Sequence, residues 1–344
     1  MYIKRILLII ALLGLVGMGV FSYFVYNTIL IPNTAFEQER AEVFIPTNTS
    51  KKEFLEIMEP IVKDVRTLEL VADKKQYSNN IRPGRYIVEK DMSNMEIIDA
   101  LRSGNKPISI RFNNQERLEN LAAHIANQIE ADSTSLMQAM LDKAFLEDNG
   151  FDDSNAIAMY IPNTYEFYWN TSAEQFRDRM KKEYDRFWDE RRVKAAEDLG
   201  LTREQVISLA AIVQKETTKI DERPRVAGVY LNRLDINMLL QADPTVIYAK
   251  KHSENDFNQV IKRVLYKHLE IDSPYNTYMY PGIPHGIIAM PDISSIDAVL
   301  FPEKHKYLYF VADTTNFGYH KFSTNLAEHN RNKQEYVRWL TQQN

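Results

Sequence analysis

The hydrophobic and polar positions divide the chain into three patterns. From Ile6 to Tyr26 there is no charged residue, and Ile9, Leu12, Leu13, Leu15, Val16 and Phe21 lie within this stretch of 21 positions. At ~1.5 Å per helical residue it is ~31 Å long, enough for the ~30 Å hydrocarbon layer of a bilayer. It is apolar on every side, which a core helix of a small domain is not. A cleaved signal peptide is the rival reading, but the stretch is long for one and no small-x-small cleavage site follows it. The expectation is a retained membrane anchor that contacts lipid through residues 6–26. Lys4 and Arg5 precede it and, by the positive-inside rule, keep the N-terminus cytoplasmic and the rest of the chain outside. Tyr23 and Tyr26 then fall at the outer interface.

The second pattern mixes short periods. Residues 34–50 read as an extended juxtamembrane stretch with Val43, Phe44 and Ile45 as a strand. Ser50 caps a helix carrying Phe54, Leu55, Ile57, Met58 and Ile61. Pro83-Gly84 turns into a strand, Tyr86-Ile87-Val88, and Ser93 opens a helix through Met95, Ile97, Ile98 and Leu101 that stops at Gly104. Pro107 to Phe112 alternates as a strand. Strand and helix in turn make a small α+β module.

The third pattern is mostly helical. Residues 116–148 carry a stripe of Leu118, Leu121, Ala122, Ile125 and Ile129, and residues 173–198 read as one long charged helix with a solvated face. Between them the aromatic run from Tyr160 to Trp169 suits either stacking on sugar rings or core packing. Tyr307 to Val311 and Tyr319 to Phe322 read as a strand pair, and Ser323-Thr324-Asn325 starts a last helix. The expected fold class is α+β: an N-terminal transmembrane helix (1–33), a small module (34–112), and connector helices with a C-terminal domain of mixed helix and sheet (113–344).

Composition narrows the chemistry. The chain has no cysteine, which removes disulfides, zinc ribbons, iron–sulfur clusters and thiol catalysis. A net charge of −5 argues against a nucleic-acid grip. The histidines show no HExxH spacing, and neither GxxxxGK[ST] nor GxSxG occurs. No metal or cofactor is expected.

A carboxylate remains. Thr202-x-x-Gln205 is a capping box, and Val206, Leu209, Ala210, Ile212 and Val213 form the stripe of the helix it opens. At ~100° per residue, position 216 returns to within ~20° of Leu209, and that position is Glu216. An acid on an apolar stripe is costly unless it is paired or faces a cleft, and desolvation raises its pKa toward that of a general acid. The plainer alternative is a helix-end glutamate paired with Arg223 or Arg225. Downstream, a helix from Pro224 carries Asn232 and Arg233 near its end. Gln241-Ala242-Asp243-Pro244-Thr245 then forms a turn in which Asp243 reads as an N-cap, which discounts it as a second catalytic carboxylate. Tyr275-Asn276-Thr277-Tyr278 and the Pro281–Gly286 loop follow. One inward Glu among Asn, Gln, Thr, Tyr and Arg is the composition of a carbohydrate site.

These blocks resemble the MltG (YceG-like) endolytic murein transglycosylases. The resemblance rests on Ala211-Ile212-Val213-Gln214-Lys215-Glu216-Thr217, Val229 to Leu234, Met238 to Tyr248, Tyr275 to Tyr278, Gly282-Ile283-Pro284, Tyr307 to Ala312 and Phe322 to Asn325. Upstream, Pro83-Gly84-Arg85-Tyr86 through Met92 and Gly104 is similar to that family's LysM-like module. Two departures stand out: Gln214 where the family often has Glu, and Ile161-Pro162-Asn163-Thr164-Tyr165 in place of Phe-Pro-Asp-Thr-Tyr.

The resemblance implies that Glu216 protonates the glycosidic oxygen between N-acetylmuramic acid and N-acetylglucosamine. It then takes the proton of the muramoyl C6 hydroxyl as that oxygen attacks C1, leaving a 1,6-anhydro end. Asn232, Arg233, Gln241, Asp243, Thr245, Tyr275, Asn276, Thr277, Tyr278 and Asn325 are the implied substrate-binding residues. The implied setting is the bacterial cytoplasmic membrane, with glycan strands as substrate, termination of strand elongation as role, and peptidoglycan synthases or divisome proteins as partners. A non-catalytic peptidoglycan-binding scaffold is the alternative.

Overall fold

The computed structural model describes residues 2–343; Met1 and Asn344, the outer ends of the expected 1–33 and 113–344 segments, lie outside the described residues. Helix α1 runs Tyr2–Ile29, beyond the charge-free stretch at both ends. Its most apolar stretch has a mean hydropathy of 2.5, and none of that stretch is buried. It is long and apolar enough to cross a membrane, and it is not a core helix. Its end is clasped. Asn94 Nδ2 donates to the Thr28 carbonyl at 2.9 Å, and Asn33 Nδ2 donates to Asn94 Oδ1 at 2.6 Å. Pro32 and Thr34 bridge to Ser93 and Val62. The extended stretch after the anchor is therefore knitted to the module, because its Asn and Thr side chains satisfy backbone groups.

The chain divides into two compact units, Met1–Ile110 with Gln128–Ala131 and Tyr165–Ser172, and Arg111–Asn127 with Asp132–Thr164 and Ala173–Asn344. In the first, β1 (Arg40–Ile45) pairs antiparallel with β2 (Gly84–Glu89), placing Val43 opposite Tyr86. Alternation sends Val43, Ile45, Tyr86 and Val88 inward. Between the strands lie α2 (Lys51–Met58) and α3 (Val65–Lys74), and α4 (Asn94–Ser103) follows. Helix α3 was not anticipated, although Asp64 caps it and Leu68, Val71 and Ala72 make its buried stripe. Ser50 with Glu53 and Ser93 with Glu96 form capping boxes. Gly84 has φ +148°, and a Cβ there would lie 2.5 Å from the Asn105 side chain. Strand β3 (Pro107–Phe112) pairs with β4 (Asn163–Tyr168).

Residues 116–148 are helical, as three short helices: α5 (Leu118–Ala126), α6 (Ser133–Met140) and α7 (Lys143–Asp148). Asp132 and Asp142 each cap a new start. The long charged helix is likewise two, α8 (Ala173–Phe187) and α9 (Glu190–Asp198), with Asp189 capping the second. In the aromatic run, Tyr160, Ile161, Tyr165 and Phe167 are buried, and the Tyr160 ring stacks 6.2 Å from Phe176. Core packing accounts for them.

The centre of the second unit is α10 (Arg203–Glu216), buried at every position from Val206 to Val213. Its five large aliphatic residues contribute on the order of 10 kcal/mol of gross burial energy. Against it pack α11 (Arg223–Asp235) and α12 (Asp243–Ser253). After α13 (Tyr266–Leu269), α14 (Ile293–Leu300) closes another side. Strands β5 (Tyr309–Ala312) and β6 (His320–Ser323) pair antiparallel, Phe310 facing Phe322, and α15 (Leu326–Gln343) follows.

Candidate active site

Helix α10 opens with the expected Thr202 capping box and stops at Glu216, where Thr217 turns extended at φ −137°, ψ 135°. Its last three side chains are each held differently. Gln214 Oε1 accepts from the Asp292 backbone N–H and from Ser295 Oγ, tying down the start of α14. Lys215 Nζ donates to Glu116 at 2.7 Å. Glu216 Oε1 accepts from the Tyr230 hydroxyl at 2.7 Å. Tyr230, on α11, is only 1% exposed and meets Phe310 edge-on at 6.0 Å.

Burial pushes the Glu216 carboxyl up to about 7, and the negative charge of Asp243 adds to that push. The Tyr230 hydroxyl, His320 and the Arg233 guanidinium act the other way. Tyr230 is itself driven well above the usual phenol range by burial and by the charge of Glu216. A carboxyl that titrates near neutrality, with one oxygen held by a hydroxyl, can both give and take a proton. Neither proposed partner of a solvent-facing glutamate reaches it. Arg223 binds Ser294 at 2.6 Å and Asp292 at 3.3 Å, and Arg225 binds Glu303 at 3.0 Å.

Asp243 requires correction. The residue capping α12 is Ala242, without a side-chain bond, and Asp243 is the first helical residue. Its exposed carboxylate accepts the Tyr278 hydroxyl at 2.7 Å and is a negative neighbour of Glu216. The cap reading placed the helix one residue late, so its reason for discounting Asp243 fails. Tyr278 is half-buried, and burial raises its hydroxyl pKa, with the Asp243 bond adding to the effect.

Arg233 sits beside this cluster but is buried. Its Nε donates to the Leu308 carbonyl at 2.7 Å and Nη1 to the Leu240 carbonyl at 2.5 Å. Several other expected binding residues hold the frame. Asn232 donates to the carbonyls of His305 and Tyr307. Thr245 and Thr277 share a 2.8 Å bond, and Thr277 Oγ1 accepts the Ala242 N–H. Asn276, fully buried, donates to the carbonyls of Leu269 and Ile271. Gln241 is exposed at φ +48° and donates its backbone N–H to the Thr277 carbonyl. Asn325 accepts the Glu328 N–H at the start of α15. Tyr275 packs 4.7 Å from Tyr248, away from the Glu216 bond network.

Two contributors were not anticipated. By residue type Tyr230 is an apolar position of its helix, and only the placement of its hydroxyl brings it to Glu216. Glu222, 2% exposed, accepts from the His320 backbone at 2.7 Å and pairs with its Nδ1 at 2.8 Å. Burial alone would raise Glu222, yet the His320 bonds outweigh it and hold the carboxyl below its ordinary value. The two residues lie far apart in the chain, and no spacing rule joins them.

The YceG-like family profile matches residues 43–335, and the chain belongs to that family. It is 30% identical over 339 residues to the endolytic murein transglycosylase of Bacillus subtilis, covering 93% of this chain and 90% of that protein. It is 26% identical over 350 residues to the endolytic murein transglycosylase of Streptococcus pneumoniae strain D39, covering 93% of this chain and 62% of that longer protein. A crystal structure of a yceG-like protein from Listeria monocytogenes aligns with a TM-score of 0.57 at 27% identity, over 86% of this chain and 99% of that one.

Proposed function

We propose that the chain is a lytic transglycosylase that cuts peptidoglycan glycan strands internally and uses Glu216 as both acid and base. The observation that carries this reading is the Glu216 carboxyl at the end of α10, bonded by Tyr230 and titrating near 7. With Oε1 taken by Tyr230, Oε2 delivers the proton to the oxygen between N-acetylmuramic acid and N-acetylglucosamine. As the C1–O bond breaks, an oxocarbenium-like centre forms. The muramoyl C6 hydroxyl attacks C1 and returns its proton to Glu216, so the carboxyl ends as it began and no water is consumed.

The same reading assigns the relatives' murein substrate to this chain, supported by identity across nearly its whole length. It places α1 in the cytoplasmic membrane with the N-terminus inside and the site outside. Two helices between paired antiparallel strands support a LysM-like module within residues 34–112, leaving 113–344 as connector and catalytic domain. Termination of nascent strands and contact with synthases or divisome proteins belong to the same proposal.

One observation favours a second reading. A hydrolase needs a pair of carboxylates, and Asp243 is an acid close enough to act on Glu216. Product analysis separates the two. Purified peptidoglycan digested with the full chain in detergent gives 1,6-anhydro-muropeptides in the mass spectrum, and Glu216→Gln gives none. Reducing ends in their place mean hydrolysis; no cleavage by the wild type means a binding scaffold.

A further inference from the structure

An acidic residue at the start of a helix is ordinarily spent on the free N–H groups of that helix. Glu222 is not. It stands at the N-cap of α11 with no side-chain cap bond. Its buried carboxylate reaches the end of α10 and β6 instead. Oε1 accepts the His320 backbone N–H at 2.7 Å, Oε2 pairs with His320 Nδ1 at 2.8 Å, and the Thr217 hydroxyl donates as well. Thr217 is 3% exposed and directly follows Glu216. Its oxygen also accepts the Lys219 N–H at 3.1 Å, so the turn 217–222 is fastened from inside.

These contacts close a circuit on Glu216. From Thr217 it passes through Glu222 to His320. The His320 ring meets Phe310 edge-on at 5.1 Å, and Phe310 meets Tyr230 edge-on at 6.0 Å. The Tyr230 hydroxyl then returns to Glu216 Oε1 at 2.7 Å. The circuit joins α10, α11, β5 and β6. A buried carboxylate is a costly way to fill space, and an apolar side chain of the same volume often packs as stably. What the carboxylate adds is direction, because its donors must sit at fixed angles. Proton transfer needs that direction, since a misplacement of ~1 Å can cost about a hundredfold in rate.

We propose that Glu222 is a positioning residue: through Thr217 and His320 it holds the Glu216 carboxyl desolvated and against Tyr230, where it gives and takes the proton. The assignment rests on the acid–base role of Glu216 proposed above. Glu222 itself touches no sugar and moves no proton. The ionisable groups acting on Glu216 include Tyr230 and Arg233 of α11, Asp243 of α12, Tyr278 and His320. Those acting on or answering to Glu222 include His320, Arg225 and Tyr319. Thr217 carries no charge, so a change of titration at Glu216 when its hydroxyl is removed reports placement alone.

The test uses Glu222→Gln and Thr217→Val in the full chain in detergent. The Gln amide turns an N–H toward one of the two His320 donors, and Val deletes a single hydroxyl. Glu216 is titrated without catalysis, from urea-measured stability against pH with and without Glu216→Gln in each background. Both variants let water reach the acid, so its titration falls from about 7 by about one pH unit. With glycan strands as substrate, kcat falls about tenfold, KM stays within about twofold, and the alkaline fall of kcat/KM moves down with the titration. A merely structural role lowers the melting temperature and moves neither the titration nor the pH profile. If Glu222→Gln does not fold, Thr217→Val carries the test. A Glu216 titration left at the wild-type value in the folded variants overturns the assignment. If the wild type cuts no glycan, the catalytic reading fails, and the titration still decides whether Glu222 positions Glu216.

Discussion

Replacing Glu216 by Gln tests the electrostatics of the site without relying on catalysis. The folded carboxyl titrates at about 7, against an ordinary 4.5. Its pKa is raised, so folding favours the protonated form. Below the ordinary value both folded and unfolded chains are protonated, and burial of this group carries no ionisation cost. As pH climbs from 4.5 to 7 the unfolded chain releases the proton and the folded chain keeps it, so stability falls. Above 7 the loss is complete and constant. The gap is worth about 3 kcal/mol. The amide of Gln has nothing to ionise, and its oxygen still accepts the Tyr230 bond. The variant therefore gains stability relative to the wild type by about 3 kcal/mol between pH 4.5 and pH 8. Paired urea titrations across that range measure the difference, and other titrating groups cancel between the two proteins. A difference that does not change with pH refutes the desolvated acid, whatever the activity does.

Three further outcomes follow from the same geometry. Tyr230→Phe removes a bond that favours the ionised carboxylate, so the alkaline fall of kcat/KM moves up by about one pH unit; an unmoved profile counts against Tyr230 as the residue positioning Glu216. His285 Nε2 lies 2.9 Å from Asp152 and Nδ1 2.8 Å from Glu204, and the Asp152 bond raises its pKa. That stabilisation is full below 6.5 and fades as pH rises through the raised value, so His285→Ala costs more at pH 6 than at pH 9 in thermal melts. Gly84→Ala combines φ +148° with a 2.5 Å approach to Asn105 and destabilises by about 1–3 kcal/mol in denaturant titrations, more than a relaxed Gly-to-Ala change would.

Much of this was legible where one residue type has one physical use. The caps at Ser50, Ser93 and Thr202 stand where the chain places them, and the period of α10 carries Glu216, itself half-buried, to the end of the apolar stripe. Legibility failed where residue type is ambiguous. Asn276 and Thr277 have the chemistry of sugar binders but spend it on backbone groups inside the fold. Tyr230 counts as apolar until its hydroxyl is placed. A one-residue shift at the start of α12 turned Asp243 from a cap into an exposed carboxylate. The breaks after α5 and α8 sit at Asp132 and Asp189, caps that a continuous charged pattern conceals.

The clasp that joins Thr28, Asn33 and Asn94 has a mechanical consequence. With α1 in a bilayer, the first unit is carried on a strut rather than a leash. The strand pair then has a fixed phase about the helix axis. One residue inserted inside α1 lifts the unit by ~1.5 Å and also swings it by ~100°, so azimuth as well as height is encoded in helix length. A flexible spacer would respond only in reach. Insertions of one, two and four residues therefore scan a circle, and only the four-residue insertion comes back near its starting bearing.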